Sequence, residues 1–186
     1  MTLHHYLTTF TFLPPDITSV LKEAFVKKDF PKGSILIQPG KTAKELYFIE
    51  KGLLRGYYET ENKEITYWFG YEGHISTSYY SFLSQTPALE TIECIENLEV
   101  QAIQRVDLYR LYDQYPILHR LGKEITEHYY LQLEERFIHQ HFKEAAERYA
   151  LFSKRHPKVM QRAPLGTIAS YLGITAETLS RIRAKK

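Results

Sequence analysis

Residues 163–186 read APLGTIASYLGITAETLSRIRAKK, the pattern of two short helices joined by a tight turn. Pro164 suits the first turn of a helix, where a missing N–H costs nothing. Leu165, Ile168, Ala169 and Leu172 then recur at helical spacing. Gly173 stands where the chain must reverse, because glycine adopts positive φ without a Cβ penalty. Thr175 is a fitting N-cap for a second helix, and Glu177 in its first turn complements the helix dipole. Leu179 and Ile182 face inward, which leaves Ala176, Glu177, Ser180, Arg181 and Arg183 outside. This is the shape of a helix-turn-helix, with the small Ala169 allowing a close crossing and the second helix suited to a DNA major groove. A helical hairpin that merely closes a core shows the same periodicity.

Charge weighs against that blander reading. From Gln140 onward the chain carries ten Lys/Arg and three Asp/Glu, a net of +7, whereas the remainder is −5 and the whole chain only +2. A basic terminal segment beside an acidic body points to a polyanion partner, with double-stranded DNA first.

At 186 residues, 44% hydrophobic and 14% aromatic, the chain has the length and composition to bury a sizeable core. One cysteine, Cys94, excludes an internal disulfide and any multi-thiolate metal or iron–sulfur site within one chain. It reads as a buried structural thiol. Neither a signal peptide nor a membrane span is visible, so a cytoplasmic protein without a membrane partner is expected.

Working back along the chain, residues 1–13 read as an extended arm or a helix start, and Ile17–Phe25 as a short amphipathic helix. Short apolar runs follow at Ser34–Ile37, Leu46–Glu50, Leu53–Tyr58, Ile65–Phe69, Thr91–Ile95 and Leu98–Ile103. Turn residues separate them and leave no room for crossover helices, so an antiparallel sandwich or barrel is expected. Asp107 reads as the cap of a helix over Leu108–Tyr112, and Pro116 opens a long helix through Phe142. Leu118, Leu121, Ile125 and Tyr129 form a stripe on it that fits a dimer interface or the protein's own barrel; pattern alone does not separate the two. A helix over Lys143–Lys154 leads through Arg155-His156-Pro157 to the terminal pair.

The stretches FPKGSILIQPGK (30–41) and LYFIEKGLLRGYY (46–58) resemble the opening of the cyclic nucleotide-binding domain. Leu165–Arg183 is similar to the helix-turn-helix of the Crp/Fnr transcriptional regulators, and the resemblance runs from about Phe25 onward. It implies an α+β chain in three parts. Residues 1–114 would form an antiparallel β jelly-roll barrel acting as sensor, 115–142 a long dimerisation helix, and 143–186 a small all-α helix-turn-helix domain. The family usually adds a β-hairpin wing after the second helix, and none is expected here. The implied protein is a homodimeric DNA-binding transcription regulator rather than an enzyme. The alternative is a sensor or protein-interaction module that kept the barrel and lost DNA binding.

In members that bind cyclic AMP, a cassette supplies a Gly-Glu pair and an Arg followed by Ser or Thr, the planar Arg fork matching the cyclic phosphate. The corresponding stretch here is GHISTSYYSFLSQTPALE (73–90). Aligned from Pro87, the Arg-Ser positions fall on Ala88 and Leu89, and the Gly-Glu positions near Thr77 and Ser78. No Lys or Arg occurs between Lys63 and Arg105, and Glu90 would repel a phosphate. Ordinary cyclic AMP binding is therefore not expected. Ser76, Thr77, Ser78, Tyr79, Tyr80 and Ser81 are candidates to line a pocket for a small neutral or aromatic effector. Equally, the hydroxyls could cap a short helix while the tyrosines fill an empty site.

The resemblance carries onto Glu177, which would accept from a cytosine amino group, and Arg181, which would donate to guanine or a phosphate. The two are also spaced for a simple i,i+4 ion pair. Ala176 stands where the family often has a polar base reader. Thr167, Thr175, Thr178 and Ser180 are candidate phosphate contacts, and Arg183, Lys185 and Lys186 would add non-specific attraction. A metal-dependent cupin-like barrel would need clustered His and Glu. His74 is the only histidine between Phe30 and Gln104, and His128, His139 and His141 read as solvated or interfacial side chains. No metal, cofactor or catalytic constellation is expected.

Overall fold

Short apolar runs broken by turn residues become two antiparallel sheets. The structure, a computed structural model, describes residues 2–61 and 63–184. Helices α1 (Leu3–Thr8) and α2 (Pro15–Glu23) precede β1 (Val26–Phe30), β2 (Ile35–Ile37), β3 (Glu45–Lys51), β4 (Leu53–Thr60), β5 (Lys63–Tyr71) and β6 (Ile75–Ser76). Then come α3 (Tyr79–Ser84), β7 (Thr91–Cys94), β8 (Leu98–Gln104), α4 (Arg105–Gln114) and α5 (Pro116–Phe142). The chain ends in α6 (Ala145–Arg155), α7 (Pro157–Arg162), α8 (Leu165–Leu172) and α9 (Ala176–Ala184).

One sheet runs β1-β8-β3-β6 and the other β2-β7-β4-β5. They sandwich a core that includes Phe48, Ile49, Leu54, Ile92, Leu98 and Ile103. The barrel is not closed. Gly52 makes the β3–β4 reversal at φ +108, where an added Cβ would sit 2.4 Å from the Asn97 carbonyl oxygen. The β4–β5 pairing passes from Gly56↔Trp68 to Tyr57↔Thr66, so Tyr67 is the extra residue of a β-bulge. Bulges re-aim the side chains they carry.

All six expected strand runs form, and the structure adds two. Strand β1 is mostly polar (Val26-Lys27-Lys28-Asp29-Phe30) and lies at a sheet edge against β8, which hides it from a search for apolar runs. Strand β6 is only two residues long. At the N-terminus, residues 3–8 are helical, with Thr2 as cap and Leu3, Tyr6 and Leu7 buried. Asp107 lies in the first turn of α4, which starts at Arg105, rather than capping it. Pro157 is no linker residue but opens α7.

The expected dimer stripe needs correction. Leu118 is 0% exposed and Leu121 4%, both within the barrel core, with Ile125 and Tyr129 packed against it. Tyr129 is bonded to strand β6: its hydroxyl accepts the Ile75 N–H at 2.9 Å and donates to the Ile75 carbonyl at 3.0 Å. The stripe is apolar because α5 packs on its own barrel. The apolar side chains that α5 exposes are others, including Tyr130, Leu133, Phe137 and Phe142.

A second core joins the C-terminal helices to the outer face of the β2-β7-β4-β5 sheet. Tyr149, Phe152, Val159, Ile168, Leu172 and Leu179 cluster with Leu53, and Phe69, Tyr71 and Ile95 pack against them. Phe69 lies 5.4 Å from Tyr171 and 6.0 Å from Phe152, ring centroid to centroid. Aromatic contacts of this kind contribute about 0.5–1.5 kcal/mol each beyond their buried area.

Candidate functional site

The terminal helix pair has the geometry of a helix-turn-helix. Gly173 takes φ +67, and its N–H donates to the Ser170 carbonyl at 3.1 Å while the Ile174 N–H donates to the Ala169 carbonyl at 3.0 Å. These bonds satisfy the last carbonyls of α8 and turn the chain. Thr175 caps α9 by accepting the Thr178 N–H at 3.2 Å. Leu179 is buried at the crossing.

The outward face carries Glu177, Ser180, Arg181 and Arg183, all exposed. Thr167, Ala176 and Thr178 are half-buried, and exposed Thr175 has its hydroxyl engaged in the cap. Lys185 and Lys186 lie outside the described residues. Glu177 is held below the usual carboxylate range by its own backbone N–H, then by Thr175, with Arg181 a lesser influence. Among the described residues no ion pair forms between Glu177 and Arg181, so the guanidinium stands free for another acceptor.

Polar contacts fasten α7 and α8 to the β-sandwich. Ser170 of α8 bridges the backbone of edge strand β5, accepting from the Thr66 N–H and donating to the Glu64 carbonyl, both at 2.9 Å. Arg162 donates to Glu72 at 2.9 Å and to both oxygens of Glu96 at 3.1 Å, while Lys158 reaches Glu72 at 3.2 Å. Burial tends to raise the Glu72 pKa, but bonds from Arg162, the Gly52 N–H and Lys158 outweigh it and hold the carboxyl down at about 2. Part of the positive charge read from the sequence thus holds the two halves together.

Beside that clamp, the Tyr71 hydroxyl meets His156 Nδ1 at 3.1 Å and the His74 ring lies 4.0 Å from the Tyr71 ring. Burial pushes His74 down to about 4, with His156 adding to the effect; burial followed by Arg155 does the same for His156.

A cavity of about 860 Å³ lies where the β2-β7-β4-β5 sheet, α5 and the C-terminal helices meet. Tyr58, Tyr67, Trp68 and Phe69 line it from β4 and β5, Tyr129 and Arg136 from α5, and Tyr171 from α8. Of the six candidate pocket residues, Ser76, Tyr79 and Tyr80 line it. Thr77 and Ser81 are scaffold: Thr77 donates to the Glu45 carbonyl at 2.8 Å, and Ser81 accepts the Ala43 N–H at 2.9 Å. Ser78 is buried at the N-terminus of α3 and lies outside the lining.

Two lining charges were not among the candidates for the pocket. Glu90 is 1% exposed, and no hydrogen bond reaches either carboxylate oxygen. Arg136 packs its guanidinium 4.6 Å over the Tyr171 ring, with Nε buried and unpartnered. Arg136 lies seven residues after Tyr129, so the stripe Leu118–Tyr129 continued by two turns would have found it.

Cys94 is buried, and burial followed by Glu93 pushes its thiol up to about 11. Among the described residues no cluster of three or more His, Cys, Asp or Glu could hold a metal ion. Nor is any described helix long and apolar enough to cross a membrane.

A β-sandwich, a long helix packed against it and a terminal helix-turn-helix follow one another along the chain. Residues 27–115 match the family model of the cyclic nucleotide-binding domain. FixK2 from Bradyrhizobium japonicum is similar in structure, with a TM-score of 0.76 at 20% identity over 87% of this chain and 83% of that one. A protein of Eubacterium rectale described as a Crp/Fnr-family transcriptional regulator gives 0.73 at 16% identity, over 97% and 87%. The c-di-GMP-responsive global regulator CLP of Xanthomonas campestris gives 0.66 at 15% identity, over 92% and 91%. No curated protein matches the sequence. Over residues 27–115 the chain is thus similar to cyclic nucleotide-binding domains, and as a whole it has the fold of these solved structures.

Proposed function

We propose that this chain is a DNA-binding transcription regulator whose sensor domain does not respond to cyclic AMP in the usual way. The observation that carries the reading is the capped, outward face of α9, where Glu177, Ser180, Arg181 and Arg183 are exposed around a buried Leu179. Residues 1–114 act as sensor, 115–142 as connecting and pairing helix, and 143–186 as reader. Glu177 and Arg181 read bases, while Thr167, Thr178, Ser180 and Arg183 position the helix on the backbone, with Thr175 and Ala176 at its entry.

Two copies pair along α5 through the exposed Tyr130, Leu133 and Phe137, setting the two recognition helices about 34 Å apart on a pseudo-palindromic site. Phe137→Asp then yields a monomer by light scattering with a folded far-UV spectrum. Absence of a cationic cassette at Ala88 and Leu89, with Glu90 beside it, supports the altered effector response.

Selection of binding sites from random duplexes, followed by fluorescence anisotropy across a salt series, tests the DNA reading. Neutralising Z phosphates gives a log–log slope near about −0.9Z, and Arg181→Ala costs about 1–3 kcal/mol with relaxed specificity at one base. A flat, salt-independent response would leave the alternative: a sensor or interaction module on the same fold.

A further inference from the structure

We propose that the cavity between the sensor sheet, α5 and α8 binds an amphoteric aromatic small molecule. Its cationic N–H donor group meets Glu90 and its anionic group meets Arg136. This deepens the reading of the chain as an effector-controlled regulator, and it is tested without DNA, so either can fail alone.

The two side chains carry opposite charges, and both lack a partner. Glu90 is 1% exposed and neither oxygen is paired in a geometrically formed hydrogen bond, only the phenols of Tyr58 and Tyr67 standing near it; among the described residues no cation meets it. Arg136 Nε is buried without an acceptor, and among the described residues Arg136 joins no ion pair. Its guanidinium lies against the rings of Tyr171 and Tyr67, at 4.6 and 5.7 Å. Burying an unpaired charge is costly, and more than about 90% of buried polar groups find a partner. Opposite charges in one cavity would ordinarily pair; here they do not. A ligand carrying the complementary charges completes both.

Size and wall chemistry agree with this assignment. At about 860 Å³ the cavity falls within the range of small-molecule sites. Its aromatic walls offer faces for a flat ring and for cation–π contact. The buried Ser76 hydroxyl, also unpartnered, adds a donor and acceptor to the wall. A cyclic nucleotide fits poorly, since its phosphate brings a negative charge and nothing cationic for Glu90. Because Tyr171 and Leu172 of α8 line the same cavity, a bound molecule would touch sensor strands and reader helix together.

The test uses the full chain, isothermal calorimetry and the fluorescence of Trp68, the only tryptophan and part of the cavity wall. The probes are para-aminomethylbenzoate, para-methylbenzylamine, para-methylbenzoate and cyclic AMP. The amphoteric probe binds about tenfold or more tighter than either singly charged one, as expected for one added charge-assisted contact. Glu90→Gln removes that advantage for the amphoteric probe and weakens the amine, leaving the carboxylate unchanged; Arg136→Met does the mirror image. Glu90→Gln also raises the melting temperature of the free protein, because a neutral isostere replaces a buried unpaired charge. Equal affinity for the three benzene probes, binding of none, or tighter binding of cyclic AMP overturns the proposal. So does a Glu90→Gln variant that melts lower and leaves the affinities unaltered.

Discussion

Ser170, on the first helix of the helix-turn-helix, takes the place of a neighbouring strand for Thr66 on the edge of the β2-β7-β4-β5 sheet. Its hydroxyl accepts the Thr66 N–H at 2.9 Å and, on the other side, donates to the Glu64 carbonyl at 2.9 Å. A sheet edge with open backbone groups invites pairing with another chain, and here one side chain closes part of it. The contact also fixes α8 against strand β5.

Ser170→Ala leaves the Thr66 N–H and Glu64 carbonyl without that partner. The expected loss is about 1 kcal/mol in chemical denaturation, offset by a few tenths from the better helix propensity of alanine. Amide exchange at Thr66 accelerates in the variant. Unchanged protection there would mean that solvent already reaches this edge.

Arg162 joins Glu72 and Glu96 of the β-sandwich to α7. Arg162→Met strands the Glu96 carboxylate, leaves Glu72 to Lys158 and the Gly52 N–H, and costs about 1–3 kcal/mol of stability. Glu96→Gln costs less, because Glu72 still holds the guanidinium. Comparing melting temperatures of the two variants checks the order.

Acid loosens the same junction in two stages. His74 and His156, both held near 4 in the fold against an ordinary 6.5, stay neutral there while the unfolded chain takes up protons. Their contribution is complete above about pH 6.5 and falls as pH drops towards 4. Glu72, held near 2 against 4.5, contributes fully above about pH 4.5 and is lost between there and 2. A series of melting temperatures from pH 7.5 to 3 therefore declines from about pH 6.5 downward, and His156→Gln flattens the upper part. A wild-type profile flat from pH 7 to 5 would contradict this.

Gly173→Ala costs about 1 kcal/mol, since φ +67 is strained for alanine and its Cβ would sit 2.4 Å from Gln140 Nε2. Gly173→Asn costs less on the backbone term, because asparagine tolerates the left-handed region. Thermal denaturation of both variants, with far-UV spectra to confirm the helices, gives the ranking.

The sequence alone determined the order of parts. Periodicity in Leu165–Leu172, the reversing glycine, the Thr175 cap and the alternating runs from Ser34 to Ile103 are local properties, so they could be read without knowing any contact. The polarised charge was legible too, but not its use. Arg162 and Lys158 look like DNA-seeking cations until Glu72 and Glu96 are seen against them, 66 or more residues away in the chain. Which face of α5 turns inward was equally undetermined, because a stripe such as Leu118, Leu121, Ile125 and Tyr129 suits a barrel or a second copy. Only packing decided for the barrel. The cavity needed tertiary structure most of all: Glu90 and Arg136 are 46 residues apart, and a shared pocket follows from neither neighbourhood. Local sequence sets helices, turns and strands because their hydrogen bonds close within a few residues. Burial and pairing of charge depend on what the fold brings together from a distance.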